Sequence, residues 1–374
     1  MIRVLYYMTN FERGGAQKFI LEVIKAINSC KVQIDVVAAP KKSDLRDAYD
    51  DFLSAGATLY EAPHFDFGTA FWQQTWWMNF WRLHPQYSIF HACVDTGTFL
   101  RLRTAKVCRN IPTIAHVHHM HTGSGVKAKI RWALQNLSRR WADHLFACSD
   151  SAGSWLYGDS VLQHANYYMV PNGIDVTKFA YSPKRREHVR NLLGVGDAFV
   201  IGHVARLSPI KNQMFLLDVF SFLHTKFPNS KLLLVGDGEL RPALEEKVRN
   251  LVLEGSVIFL GTQSEVADYY QAMDVFALPS LSEALPFTTV EAQCAGLPCV
   301  VSTGVPQVAD MGAGLLQRRD LSDGVEAWGN NILGCMGKQR KDCSNDVREK
   351  GFDVSATAKW LENFYLRIGN DANL

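Results

Sequence analysis

The sequence predicts an α/β fold of two doubly wound domains, each a parallel sheet with helices on both faces. Three observations predict it. Short apolar runs alternate with longer stretches of helical periodicity, which implies parallel strands joined by helical crossovers. The alternation breaks once, near residues 181–197, and then restarts. The length, 374 residues, suits two domains of ordinary size. Two such sheets facing each other would leave a central cleft, and sheets of this kind bind ligands beyond the carboxyl ends of their strands.

In the first domain, residues 1–180, strands are expected at 2–7, 34–39, 57–61, 88–92, 113–117 and 144–147. After the first of them, Phe19, Ile20, Val23, Ile24 and Ile27 recur at helical spacing. Residues 181–197 carry Lys184, Arg185, Arg186, Glu187 and Arg190, fit no strand, and read as an interdomain linker with a short helix. The second domain, 198–354, resumes with strands at 199–205, 231–235, 257–260, 275–278 and 299–302, with helices at 214–226 and 241–254 between them.

Apolar residues make up 47% and charged residues 20%, which excludes a disordered or low-complexity chain. The formal net charge of +2 argues against a dedicated nucleic-acid binder, which should carry a clear basic excess. That total hides an uneven distribution. Residues 1–180 hold 19 basic and 14 acidic side chains, and residues 181–374 hold 20 and 23. From Thr96 to Ala142 there are nine basic residues and no acidic one. The eight cysteines form no Cys-x-x-Cys pair, which argues against zinc-ribbon and thioredoxin-type sites and fits a reducing compartment. The N-terminus reads as a strand and not as a signal peptide, and no run of 18 uncharged apolar residues exists. The expectation is a cytoplasmic chain, with peripheral attachment to the inner face of the cell membrane as an open alternative.

Three segments follow predicted strands and carry candidate chemistry. Gly14 and Gly15 stand at a strand-to-helix turn, where glycines admit a ligand close to the backbone and the helix N-terminus offers N–H groups to an anion; a flexible tight turn is the alternative. Arg206 and Lys211 lie five residues apart across a loop and could hold a diphosphate, the Arg as a planar fork and the Lys as a point charge; two solvated cations are the alternative. The third segment runs from Pro279 to Ala292. In it Leu285, Pro286 and Phe287 open a helix whose backbone N–H groups, through Thr288, could meet phosphate. Glu291 could accept from ribose hydroxyls, and Glu283 in the preceding loop could hold or polarise a sugar, unless both are ordinary surface charge.

In this order the glycine turn, the Arg206…Lys211 pair and Glu283-x7-Glu291 resemble the retaining glycosyltransferases of the GT-B fold, specifically family 4 of the bacterial surface-polysaccharide type. Pro171-Asn172-Gly173-Ile174-Asp175 resembles the family turn that closes the first domain, and Leu234-Val235-Gly236-Asp237-Gly238 its strand-to-turn signature. Val257-Ile258-Phe259-Leu260-Gly261 is similar to the strand whose end lies near the nucleotide base, and Ala295-Gly296-Leu297-Pro298 to the end of the helix bearing the second glutamate. The resemblance implies that Arg206 and Lys211 bind the donor diphosphate, Glu291 the ribose and Glu283 the sugar hydroxyls. It also implies that Leu260, Leu285, Pro286, Phe287 and Thr288 line the donor and that Gly14 and Gly15 approach the reacting centre. It implies no metal and no cofactor, because cations and helix N-termini neutralise the leaving diphosphate. It further implies that a last helix over 355–374, with Trp360, Leu361, Phe364 and Tyr365, packs back toward the first domain. Two departures stand out. Ala284 replaces the family's usual Gly, at about 1 kcal/mol if that position needs a left-handed backbone. Thr303-Gly304-Val305-Pro306-Gln307-Val308 lacks the common Gly-Gly-x-x-Glu, which bears on nucleotide or sugar selectivity.

His116, His118, His119 and His121 cluster after the strand at 113–117, with His116 and His118 on one face. A metal site is disfavoured, since no carboxylate lies nearby in sequence and adjacent histidines are not a tetrahedral spacing. The resemblance places His118, or next His116, at the donor sugar; His119 and His121 read as loop histidines. Phe65, Phe67, Phe71, Trp72, Trp76, Trp77, Phe80 and Trp81 put aromatics around much of one helix. Core packing alone is one reading; the other is that one face packs in the core and the remainder could contact an acyl chain, the bilayer interface or a second subunit. Lys127, Lys129, Arg131, Arg139 and Arg140 lie on an expected helix at 126–141 interleaved with apolar residues, which suits either plain solvation or an anionic membrane or acceptor.

The expected activity is transfer of a hexosyl or N-acetylhexosaminyl group, with retention, from a nucleotide diphosphate sugar (a UDP-sugar favoured) to a hydroxyl of a lipid-linked or growing bacterial surface saccharide. The alternatives are a sugar-nucleotide epimerase or phosphorylase of the same fold and a non-catalytic sugar-binding relative. A nicotinamide oxidoreductase is also doubly wound, but Gly236-Asp237-Gly238 is followed by Glu239, Leu240 and Arg241, so the third glycine of its phosphate turn is missing.

Overall fold

The computed structural model describes every residue except Arg13, 41–47, Asp66, 119–124, Ala284 and 372–374, with the side chains of Phe67 and Asp371 also outside the description. It divides into two units, Met1–Gly173 with Asp353–Leu374, and Ile174–Phe352. Both are parallel-sheet α/β structures. The first holds β1 (Ile2–Met8), β2 (Val32–Ala38), β3 (Leu59–Glu61), β4 (Ile89–Cys93), β5 (Thr113–Val117), β6 (His144–Ala147) and β7 (Tyr167–Met169), in the order β3-β2-β1-β4-β5-β6-β7. The second holds β8 (Phe199–Val204), β9 (Ser230–Val235), β10 (Val257–Gly261), β11 (Val275–Leu278), β12 (Cys299–Ser302) and β13 (Leu316–Arg319), in the order β10-β9-β8-β11-β12-β13. Central strands such as β4, β5, β8 and β11 are buried at every position, as continuous apolar runs covered on both faces must be.

Each sheet has one switch point, between β1 and β4 in the first unit and between β8 and β11 in the second, from which the chain winds outward in both directions. At these points the loops beyond the carboxyl ends diverge to opposite faces and leave a crevice. Two strands, β7 and β13, lie outside the sequence expectation. Both are sheet edges, and Leu316-Gln317-Arg318-Arg319 in particular has no apolar run to betray it.

The segment read as a linker is an integral part of the second unit. Its helix, Pro183–Leu193, starts where Ser182 caps the Arg185 amide and stops at Gly194 in the left-handed region. Lys184 and Glu187 are exposed, but its three arginines are engaged by the protein. Arg185 pairs with Asp268 at 2.6 Å, Arg186 with Asp274 at 2.5 Å, and Arg190 donates to the carbonyls of Ala272, Gly196 and Ala198. High charge density signalled an electrostatic clamp on the helix Val266–Ala272, whose last carbonyls these guanidinium groups cap. The chain passes between units at Gly173–Ile174 and again at Phe352–Asp353. The final helix, Val354–Asp371, belongs to the first unit. There buried Glu362 accepts from the Asn28 amide and from Lys359, and the Tyr365 hydroxyl meets His91 Nδ1 at 2.7 Å.

The helix Ala70–Leu83 shows how far its aromatics serve the core. Trp77, Phe80 and Trp81 are buried, whereas Phe71 and Trp72 are more than 70% exposed. The acid-free stretch is similarly divided. Arg101 pairs with Asp95 at 2.5 Å and Lys106 with Asp143 at 2.5 Å, so the two carboxylates that flank the stretch neutralise two of its cations. Arg109 donates to the carbonyls of Trp81, His84 and Pro85. Lys127, Lys129, Arg131, Arg139 and Arg140 remain exposed. All eight cysteines are free thiols.

The helix Phe287–Cys294 ends in a Schellman arrangement: Gly296 donates to the Gln293 carbonyl and Leu297 to that of Ala292. Gly296 has φ +69, and a Cβ there would collide with the Lys341 carbonyl oxygen. Gly296→Ala is therefore expected to destabilise the second unit by more than the roughly 1–2 kcal/mol of a left-handed alanine. Urea unfolding of the two proteins checks this, and an unchanged midpoint would show that this helix end tolerates a side chain.

Candidate active site

In the second unit the switch point brings two loops together. The loop after β8 carries Arg206 and, in the turn Pro209–Lys211, Lys211. The loop after β11 carries Ser280 to Glu283 and leads into the helix Phe287–Cys294. The Leu281 amide donates to the Ile210 carbonyl at 2.8 Å, which ties one loop to the other. Beside that bond, Lys211 Nζ lies 2.6 Å from Glu283 Oε1, and both side chains are largely buried. Glu283 is further fixed by its amide, which donates to the Gly304 carbonyl at 2.9 Å. Gly304 permits this close approach, since a Cβ there would lie 2.6 Å from the Leu281 oxygen.

Arg206 is not part of that ion pair. Its side chain is 68% exposed and only loosely faces Glu239, at 3.5 Å, a contact worth little in solvent. Its backbone, by contrast, is held firmly. Buried Gln213 donates to the Arg206 carbonyl at 2.9 Å, and Leu207 exchanges hydrogen bonds with Asp237 and Leu240. Gln213 also meets His203 Nε2 at 3.0 Å, while His203 Nδ1 faces the Ala277 carbonyl at 2.8 Å. A carbonyl only accepts, so His203 donates from Nδ1 and accepts from Gln213 at Nε2. Burial pushes His203 down to about 4, keeping the ring neutral for this role. Gly236 and Gly238 matter here too, because a Cβ on either would collide with the carbonyl of Ala205 or Leu207.

The remaining residues of the third segment are ordered by the helix start. Pro286 is the N-cap of Phe287–Cys294, one position earlier than a first-turn proline. Leu285 is buried, Phe287 and Thr288 are half-buried, and Leu260 of β10 is half-buried with its carbonyl accepting from Gln263. Glu291 is 1% exposed, and its carboxylate accepts from the Tyr270 hydroxyl at 2.8 Å. It is thus not ordinary surface charge. Burial and the facing Glu291 carboxylate hold the Tyr270 phenol well above its usual range, so it remains a donor. Ala284 lies outside the described residues.

In the first unit Gly14 caps the helix Gly15–Ala26 with φ −152, an extended conformation open to any residue, and both glycines are exposed. No strained turn requires them. The strand end at β5 carries His116 and His118, whose ring centroids are 3.8 Å apart. His118 is 9% exposed and reaches Tyr6 and Asn172. His116, expected next at the donor sugar, is instead fully enclosed, with Nδ1 3.1 Å from His91 Nε2. Its position on β5, inside the sheet's layer, turns it into the core. His119 and His121 lie outside the described residues. Among the described residues no group of three His, Cys, Asp or Glu is placed to hold a metal. The expected basic helix is an α-helix over Val126–Asn136 followed by a 3-10 turn over Leu137–Arg140, and Val126, Ile130, Trp132 and Leu137 are exposed among its cations. No described helix is long and apolar enough to cross a membrane.

Two Rossmann-like parallel-sheet units are the architecture of the GT-B fold, the fold of many glycosyltransferases. The comparisons agree. Residues 13–178 match the family model described as Glycosyltransferase Family 4, and residues 198–336 match Glycosyl transferases group 1. The chain is 30% identical over 370 residues to EpsF of Bacillus subtilis, named as a glycosyltransferase, covering 97% of this chain and 96% of that one. It is 27% identical over 298 residues to the UDP-Gal:alpha-D-GlcNAc-diphosphoundecaprenol alpha-1,3-galactosyltransferase of Escherichia coli, covering 75% and 76%. The crystal structure of Anabaena HepE with UDP and glucose shares the fold, with a TM-score of 0.73 at 19% identity over 99% and 98% of the chains. This chain belongs to glycosyltransferase family 4 and is a glycosyltransferase.

The sequence reading missed Tyr270, Gln213 and His203, which hold the motif residues in place. Tyr270 and His203 carry no local signal, because Glu291 and the Ala277 carbonyl lie 21 and 74 residues along the chain, and Gln213 belongs to no motif although Arg206 and His203 are near it in sequence. The buried rings of the first unit have a measurable consequence. Burial holds His91 and His116 well below the usual 6.5, so both stay neutral when folded. The unfolded chain takes up protons near 6.5 and the folded chain does not, so stability is full above that pH and falls below it. Each ring contributes a slope of up to about 1.4 kcal/mol per pH unit. Denaturant unfolding at pH 7.5 and 5.5 should show the loss, and equal stability at both would mean that these rings are not enclosed.

Proposed function

We propose that the chain transfers a hexosyl or N-acetylhexosaminyl group, with retention, from a UDP-sugar to a hydroxyl of a lipid-linked or growing surface saccharide. The observation that carries this reading is the Lys211–Glu283 pair at the second unit's switch point, with Arg206 exposed on the neighbouring loop. Lys211 has three N–H donors and gives one to Glu283, which leaves two for phosphate oxygens. Arg206 adds a planar fork for the same diphosphate. Together they would stabilise the charge that grows on the leaving nucleotide, with no metal needed. Glu283, oriented by Lys211, would bind donor sugar hydroxyls, and Glu291, oriented by Tyr270, the ribose. Leu260, Leu285, Pro286, Phe287 and Thr288 would line the donor, with Gly14, Gly15 and His118 as the first unit's part.

The donor and acceptor classes are supported by relatives: the Escherichia coli enzyme is named for UDP-Gal and a diphosphoundecaprenol-linked acceptor, and HepE was solved with UDP and glucose. Lys127, Lys129, Arg131, Arg139 and Arg140, set among exposed Val126, Ile130, Trp132 and Leu137, suit an anionic bilayer surface on which such an acceptor would be met.

Arg206→Ala is expected to lower turnover of the nucleotide sugar ~100- to 1,000-fold, the range for loss of one preorganised charge-stabilising donor. Because Arg206 is exposed, the unfolding midpoint should not move. Wild-type turnover would remove the diphosphate assignment. In flotation with phosphatidylglycerol vesicles, the protein should rise with the lipid at low salt and stay behind at high salt. Failure to float at low salt would remove the membrane reading.

A further inference from the structure

His118 stands at the centre of a hydrogen-bonded chain that runs through the first unit. Its Nδ1 lies 3.0 Å from the Asn172 side-chain oxygen, and its Nε2 lies 3.1 Å from the Tyr6 hydroxyl. The Tyr6 oxygen is 3.5 Å from the Cys93 sulfur. These groups are buried, and they come from distant parts of the chain: Tyr6 from β1, Cys93 from β4, His118 from the end of β5, and Asn172 from the turn at which the chain leaves the unit.

The order of the protons along this chain follows from which atoms can donate. An amide oxygen only accepts, so His118 Nδ1 must carry the hydrogen that faces Asn172. A neutral ring with Nδ1–H has a bare Nε2, which accepts the Tyr6 O–H. The Tyr6 oxygen is then open to the Cys93 S–H. Every donor has an acceptor in this order. The reverse order would flip the Asn172 amide and end with the Tyr6 O–H pointed at a thiol sulfur, a weak acceptor, instead of at an imidazole nitrogen. Burial pushes the Cys93 thiol up to about 12 and the Tyr6 phenol well above its usual range, so both remain protonated donors. Rings pack on His118 as well: His116 at 3.8 Å and Phe19 at 5.4 Å between centroids.

We propose that Asn172 and Tyr6 are positioning residues that lock His118 as its Nδ1–H tautomer, so that His118 serves sugar transfer as a fixed neutral group and not as a proton donor or acceptor. This rests on the reading that His118 takes part in transfer. It gives the asparagine of the Pro171-Asn172-Gly173 turn a task beyond turning the chain. It also sets His118 apart from an acid–base histidine, which needs one ring nitrogen open to the reactants. Here both are engaged by the protein.

The test is nitrogen NMR of the full-length protein labelled at histidine, with the His118 resonances identified by their loss in His118→Gln. At pH 7 the wild type should show a bare Nε2 and a protonated Nδ1, the reverse of the tautomer that an unconstrained histidine favours. Tyr6→Phe, which removes only the hydroxyl, and Asn172→Ala should each lose that signature, while Asn172→Asp, which keeps an acceptor, should retain it. A protonated Nε2 in the wild type, or an unchanged signature in both Tyr6→Phe and Asn172→Ala, would overturn the lock. Transfer assays separate this from the reading beneath it: wild-type turnover in His118→Gln, with the signature present in the wild type, would overturn the part His118 is given in transfer and not the lock.

Discussion

Everything near the candidate site depends on one constraint of parallel sheets. When a chain winds outward in both directions from the middle of a sheet, two strands distant in sequence lie side by side with their carboxyl ends aligned. In the second unit these strands are β8 and β11. Their adjacency places Ile210 within reach of Leu281 and Lys211 within reach of Glu283, pairs that no local interaction could assemble. In the first unit β1 and β4 play the same part, and Tyr6 and Tyr7 of β1 reach Cys93 and Asp95 at the end of β4.

Both units bury polar groups at these points, and each carries a cation–carboxylate pair there. The first encloses the rings of His91 and His116 without charge, beside an ion pair of Arg101 with Asp95, whose carboxylate also accepts from the Tyr7 hydroxyl. The second keeps charge in place by pairing it, as in Lys211 with Glu283, and leaves one cation, Arg206, largely in solvent. A buried charge is tolerated only with a partner and hydrogen bonds. Glu291 shows the same logic, buried with the Tyr270 hydroxyl on its carboxylate.

Charge density had two meanings that the sequence could not separate. In 181–197 it marked a helix clamped onto the second unit through Asp268 and Asp274, not a solvated linker. From Thr96 to Ala142 the acid-free run divides into cations used internally, such as Arg101 and Lys106, and cations on the surface, such as Lys127 and Arg140. The internal ones find Asp95 and Asp143 just outside the run, so counting charges within it overstated its excess. The aromatic helix divides likewise, with Trp77 and Trp81 inside and Phe71 and Trp72 outside.

Local sequence by itself determined the strands, because a strand buried on both faces must be a short continuous apolar run, and β1, β5, β8 and β11 are such runs. It also determined the order of the motif residues: Arg206 and Lys211 after one strand, Glu283 and Glu291 after another. Edge strands β7 and β13 escaped it, since an edge needs no such run. Tertiary structure alone decided the partners. Lys211 faces Glu283 and not Arg206, Glu291 is held by Tyr270, His116 turns inward to His91, and His118 is fastened by Tyr6 and Asn172. Those choices depend on which strands become neighbours and on how much water each side chain keeps, and both are properties of the assembled sheet, not of any stretch of chain.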